Sequence, residues 1–138
     1  MIGIVLVTHG RLAEEMLNTL RIVLGPLEQI TAVSTGTEDD PDVVRLEIQR
    51  AMERVDRGDG SLILTDMLGD TGTNMSLEIS RDGCAEIVAG VNMPMLVKAV
   101  TCRQGMALEA LAGFIEKYGR DHIFWVSRND KPAGNSHG

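Results

Sequence analysis

Ile2-Gly3-Ile4-Val5-Leu6-Val7-Thr8-His9-Gly10 is an apolar run, rich in β-branched residues, that stops at a histidine followed by a glycine. Such a run is too short to cross a membrane and is bounded by turn chemistry, which is the pattern of a central strand in a parallel sheet. The strand delivers His9 to its carboxyl end. The remaining sequence is read by what it brings to that point.

Outward from this strand, short apolar runs alternate with longer periodic segments, the signature of βαβ units. Leu12, Met16, Leu20, Val23 and Leu24 lie at helical spacing, and Gly25-Pro26 closes a helix over 12–24. A weaker strand, Ile30 to Val33, leads to the polar loop 35–40. Asp40 is the expected N-cap and Pro41 the first residue of a second helix, whose apolar face is Val44, Ile48, Ala51, Met52 and Val55, up to Gly58. After the Asp59-Gly60 turn, Ser61 to Thr65 reads as another buried strand, ending in Asp66.

The loop Met67 to Asn74 is small and polar, and a helical segment follows around Met75 to Ser80. Glycines let amides approach an anion, and a helix start adds partial positive charge, so the loop reads as a candidate phosphate cradle or as an ordinary βα turn. A turn at Asp82-Gly83 precedes a fourth strand, Ala85 to Val91, and Asn92-Met93-Pro94 opens a helix to about Arg103. Met106, Leu108, Leu111, Ala112, Ile115 and Tyr118 stripe a last helix that is expected to stop before Gly119. His122 to Val126 reads as a final strand, and 129–138 as a disordered polar tail.

Composition bounds the function. With 138 residues and 43% hydrophobic content, the chain holds one sizeable core, so a single domain over 1–128 is expected. A net charge of −7 argues against nucleic acid and anionic membranes as partners. Aromatic residues, at 3%, offer no base-stacking platform, and the eight methionines read as core filler. Cys84 and Cys102 lack metal-ligand or redox spacing and no signal-peptide pattern precedes them, which points to reduced thiols in a cytoplasmic protein.

In a doubly wound parallel sheet, ligands bind at the carboxyl edge where the winding reverses. His9 and Asp66 each follow a buried strand, and if those strands are neighbours the carboxylate holds one imidazole nitrogen while the other faces the ligand. That arrangement suits a nucleophile or general base. Neither His122, at the start of an expected strand, nor His137, in the tail, has such a setting.

On these residues the chain resembles the IIA component of the mannose class of the bacterial phosphoenolpyruvate-dependent sugar phosphotransferase system (PTS). The resemblance covers Met1 to about Val126. It rests on Ile2-Gly3-Ile4-Val5 with Thr8-His9-Gly10, on Asp59-Gly60 before Leu62-Ile63-Leu64-Thr65-Asp66, and on Gly90-Val91-Asn92-Met93-Pro94-Met95-Leu96. It implies that His9 accepts a phosphoryl group from the HPr carrier and passes it to a IIB partner, with Asp66 orienting the ring. It also implies a phosphate loop of Gly69, Thr71, Gly72 and Thr73, no metal or cofactor, no nucleic acid, membrane IIC and IID components met only indirectly, and a homodimer. In that dimer the last strand, antiparallel to the rest, is exchanged.

The loop departs from the family's Asp-Leu-Phe-Gly-Gly-Ser-Pro-x-Asn. Asp66, Gly69 and Asn74 agree, Thr71 replaces a serine, Gly72 removes a proline, and Asp70 adds a negative charge beside a group that would gain about two more. These departures motivate a second reading, a regulatory PTS protein phosphorylated at His9 that works by partner binding rather than sugar transport. A third reading, a metal-dependent hydrolase with His9, Asp66 and Asp70 as ligands, lacks the usual ligand spacings. A two-component receiver would share the fold, but no acidic pair follows the first strand.

Overall fold

The apolar runs become strands because each can be covered on both faces, and helices supply the cover. The computed structural model of the chain describes residues 1–36, 38–69, 71–81 and 84–128. Asp70, Thr37, the turn at Asp82-Gly83 and the tail 129–138 lie outside the described residues. The elements are β1 (Gly3–His9), α1 (Leu12–Leu24), β2 (Ile30–Thr35), α2 (Pro41–Val55), β3 (Ser61–Thr65), α3 (Thr71–Ser80), β4 (Ala85–Ala89), α4 (Met93–Cys102) and α5 (Leu108–Asp121).

Among the described residues the sheet is four-stranded and wholly parallel, in the order β2-β1-β3-β4. The chain winds first to one side of β1 and then to the other, so the switch point lies between β1 and β3. Ile2, Ile4 and Leu6, with Leu62 and Leu64, pack under α1, α4 and α5. Val5, Val7 and Ile63 pack under Val44, Ile48, Ala51 and Val55 of α2, with Met75 and Ile79 of α3 beside them. Alternation along β1 therefore sends His9, two residues beyond Val7, to the α2/α3 face. Close approach matters at Gly3, where a Cβ would sit 2.5 Å from the Val55 carbonyl oxygen.

Helix ends follow local chemistry. Asp40 accepts from the Asp42 amide with Pro41 in the first turn, and Asn92 accepts from the Met95 amide at 2.9 Å. At the far end of α2 the chain turns extended at Asp56, whose carboxylate takes the Gly58 and Gly60 amides, so the helix stops at Val55 rather than near Gly58. The fourth strand closes at Ala89, because Gly90 takes a left-handed φ of 89° and both Gly90 and Val91 amides turn to the Thr65 carbonyl. Gly119 does not end α5. Its bare Cα leaves room for Met95, and its carbonyl accepts from Asn92, so the helix runs on to Asp121.

The expected last strand is absent from the described single chain. His122 Nδ1 bonds the Tyr118 carbonyl at 2.8 Å and its ring stacks on Tyr118 at 3.7 Å, which caps α5. The chain then leaves as coil and a turn, with Ile123, Trp125 and Val126 exposed at 73%, 62% and 66%. A strand needs an edge to pair with, and this segment pairs with none of the four described strands.

Candidate functional site

Two adjacent parallel strands, β1 and β3, stop side by side at the carboxyl edge, with Val7 opposite Thr65. Asp66 follows Thr65 directly, and His9 lies two residues beyond Val7. One carboxylate oxygen of Asp66 accepts from the His9 amide at 3.0 Å and meets His9 Nδ1 at 2.9 Å. A carboxylate only accepts, so in the neutral ring this contact assigns the proton to Nδ1 and the lone pair to Nε2. The His9 side chain is 36% exposed and that of Asp66 12%. The ring is thus reachable by a partner while its counter-charge is largely sheltered from water. Directly after it, Gly10 takes a φ of 54°, turning the backbone from strand to helix where a side chain would strain.

The backbone around His9 is held from the other side by β2. Thr35 Oγ1 donates to the Thr8 carbonyl at 3.2 Å, and the Thr35 carbonyl accepts from the Gly10 amide at 2.9 Å. Thr8 Oγ1 accepts from the Ala13 amide at 2.6 Å and so caps α1 in place of Arg11, which makes no side-chain cap. These hydroxyls went unread in the sequence. Their signal was available: a threonine closes the apolar run of β1, β2 and β3 alike, where a buried hydroxyl must find a partner.

The loop after Asp66 is shorter than expected, because α3 begins at Thr71 rather than near Met75. Gly69 is exposed with a φ of 88°, Thr71 is exposed, and Gly72 and Thr73 are buried in the first turn. The Thr73 hydroxyl faces inward, 2.8 Å from Thr65 Oγ1 and 2.7 Å from the Met67 carbonyl. Across the helix pair, Arg45 of α2 binds Glu78 of α3 at 2.5 Å. Its guanidinium pKa is held above the ordinary value by hydrogen bonds to Glu78 first and Asp42 second. Leu12, at the start of α1, and Met67 and Leu68, in the loop after β3, are exposed apolar residues at this carboxyl edge. Among the described residues no three His, Cys, Asp or Glu side chains converge to hold a metal ion, and Asp70, the third ligand of the hydrolase reading, lies outside them. No helix of the described residues is long and apolar enough to cross a membrane.

The profile of the family EIIA-man, described as PTS system fructose IIA component, matches residues 3–116. The PTS system mannose-specific EIIAB component of Escherichia coli (strain K12) is 28% identical over 124 residues, 88% of this chain. The chain spans only 38% of the length of that relative. A phosphotransferase system component EIIA from Streptococcus agalactiae superposes with a TM-score of 0.84 at 26% identity, covering 92% of this chain and 98% of the other. The mannose/sorbose specific IIA subunit from Enterococcus faecalis has the same fold, with a TM-score of 0.81 at 23% identity over 89% of this chain and 92% of its own.

Proposed function

The chain belongs to the EIIA-man family, and from that premise we propose that it is a phosphocarrier accepting a phosphoryl group from HPr on His9 Nε2 and passing it to a IIB component. The observation that carries this reading is the single Asp66 oxygen bridging the His9 amide and Nδ1. It holds the proton on Nδ1 and so presents the Nε2 lone pair for in-line attack on phosphorus.

As the donor's phosphorus–nitrogen bond breaks, the bond to Nε2 forms, and no proton has to leave. The phosphorylated ring, still protonated on Nδ1, is formally cationic, and Asp66 is its counter-charge. Onward transfer breaks this phosphorus–nitrogen bond as a phosphorus–nitrogen or phosphorus–sulfur bond of similar energy forms on a histidine or cysteine of IIB, so no metal or nucleotide is required. Equatorial oxygens need donors. The Gly69 and Thr71 residues and the first-turn amides of Gly72 and Thr73 stand on the side of the sheet to which His9 points, which supports their role as the phosphate loop. The Thr73 hydroxyl is engaged inside, which leaves the hydroxyl of Thr71 as the side-chain donor in this loop.

The exposed apolar side chains of Leu12, Met67 and Leu68 support docking by a protein rather than a small molecule. The exposed Ile123, Trp125 and Val126 support a homodimer in which this segment pairs with the partner's β4 edge. Membrane IIC and IID components are then reached only through IIB, which suits a cytoplasmic protein.

Incubation with phosphoenolpyruvate, enzyme I and HPr tests the reading. Acid-labile, alkali-stable phosphate appears on the wild type and not on His9→Ala. An unlabelled wild type with cognate carriers contradicts it. Labelling that cannot be chased onto any cognate IIB favours the regulatory alternative, in which phosphorylated His9 controls partner binding.

A further inference from the structure

Of the three threonines that close the strands beside His9, Thr65 differs in where its partner lies. Thr8 and Thr35 are satisfied by backbone groups, the Ala13 amide of α1 and the Thr8 carbonyl. Thr65 reaches across to α3, where Thr73 Oγ1 stands at 2.8 Å, and the same Thr73 hydroxyl lies 2.7 Å from the Met67 carbonyl. Thr73 is only 2% exposed. Its two contacts fall on the residue before Asp66 and the residue after it. One side chain in the first turn of α3 therefore pins the Asp66 peptide from both sides.

That pinning has a demanding task. A single oxygen of Asp66 serves two donors, the His9 amide at 3.0 Å and Nδ1 at 2.9 Å. Hydrogen bonds weaken steeply once distance and angle slip, so a shift of about half an ångström at the Asp66 Cα releases one of the two. The backbone amide is fixed in the sheet, and the imidazole is the partner that can be lost. Losing it frees the ring to move its proton to Nε2 and withdraws the lone pair from the exposed side.

We propose that Thr73 is a positioning residue that, with Thr65, locks the Thr65-Asp66-Met67 turn and thereby sets the tautomer of His9. Because Thr73 also belongs to the helix turn assigned to the phosphoryl oxygens, one side chain registers the phosphate-binding amides against the histidine. This rests on the phosphocarrier reading for its meaning, but its test needs no phosphate.

The test is nitrogen-15 NMR of the imidazole rings in the unphosphorylated full chain at alkaline pH, where the rings are neutral. Wild type, Thr73→Val, Thr73→Ser and Thr65→Val are compared, with thermal unfolding recorded for each. In the wild type His9 carries its proton on Nδ1. Thr73→Val moves the population toward the Nε2-protonated form and slows phosphorylation by HPr about tenfold, Thr65→Val moves both in the same direction, and Thr73→Ser restores the wild-type spectrum and rate. A folded Thr73→Val whose His9 keeps the wild-type tautomer overturns the proposal, as does Thr73→Ser behaving like Thr73→Val. If Thr73→Val does not fold, Thr65→Val decides by the same criterion. An unmoved tautomer in a protein that is phosphorylated on His9 defeats the positioning role alone. A tautomer that moves as predicted in a protein HPr cannot label defeats the phosphocarrier reading alone.

Discussion

The two edges of the sheet each carry a charged group at the point where chains converge, and they treat it in opposite ways. At the carboxyl edge His9 and Asp66 face one another, one exposed to a third of its surface. At the amino edge Arg103, at the end of α4, is buried and donates to the carbonyls of Ile2, Glu28 and Gln29, which lead into β1 and β2. Burial lowers its pKa from the ordinary value, and nearby Glu28 partly offsets this. A cation whose two terminal nitrogens are held by backbone carbonyls, sealed from water with its Nε left over, ties the start of the strands together. An imidazole held by a side chain and left a third open stays within reach of a partner.

The sharpest way to break the comparison is to exchange the consequences. His9→Ala is expected to abolish phosphoryl acceptance while leaving the unfolding temperature unchanged, as measured by phosphate labelling beside calorimetry. Should it unfold the protein, the carboxyl edge would be structural after all. Asp66→Asn keeps the shape but removes the counter-charge, and the expected effect is a loss of about 100-fold in the rate of phosphoryl transfer. Stopped labelling with phosphorylated HPr measures it.

At the other edge, Arg103→Met removes the guanidinium from the carbonyls of Ile2 and Glu28 and leaves that of Gln29 with the Ile4 amide alone, a cost of about 2–3 kcal/mol seen in urea unfolding. The folded fraction is expected to transfer phosphate at the wild-type rate. A slow but stable Arg103→Met would join the two edges that the structure keeps apart. Smallest of all is the exposed Lys117–Asp121 pair on α5, 2.7 Å apart. The hydrogen bond from Lys117 holds Asp121 below the usual carboxylate pKa, so its contribution is present above the ordinary carboxylate range and fades as pH falls through the lowered value. Asp121→Asn is expected to leave the unfolding temperature unresolved from wild type at pH 7, because water screens such a pair.

The sequence was informative where one residue type has one use. His9 and Asp66 were legible as strand-ending polar groups, α1 was legible to its ends, and the cap at Asp40 followed from side-chain chemistry. Glycine misled twice in opposite senses. Gly119 looked like a helix stop and is a packing contact for Met95, whereas Gly72 looked like loop and sits in the first turn of α3. Tertiary contact decides the case of Gly119, and periodicity does not contain it. His122 to Val126 had the composition of a strand, but a strand is defined by its neighbour, and in the single chain α5 simply ends there. The inward turn of Thr73 was invisible for the same reason, since it depends on which hydroxyl lies across the sheet edge.

The central claim is that Asp66 keeps the His9 proton on Nδ1 and so directs phosphorus to Nε2. Phosphorus–nitrogen correlation NMR on the nitrogen-15-labelled, HPr-phosphorylated protein tests it most directly. The account predicts one phosphohistidine, coupled through Nε2 of His9, with Nδ1 still protonated. Phosphorus on Nδ1, or on a residue other than His9, would contradict it.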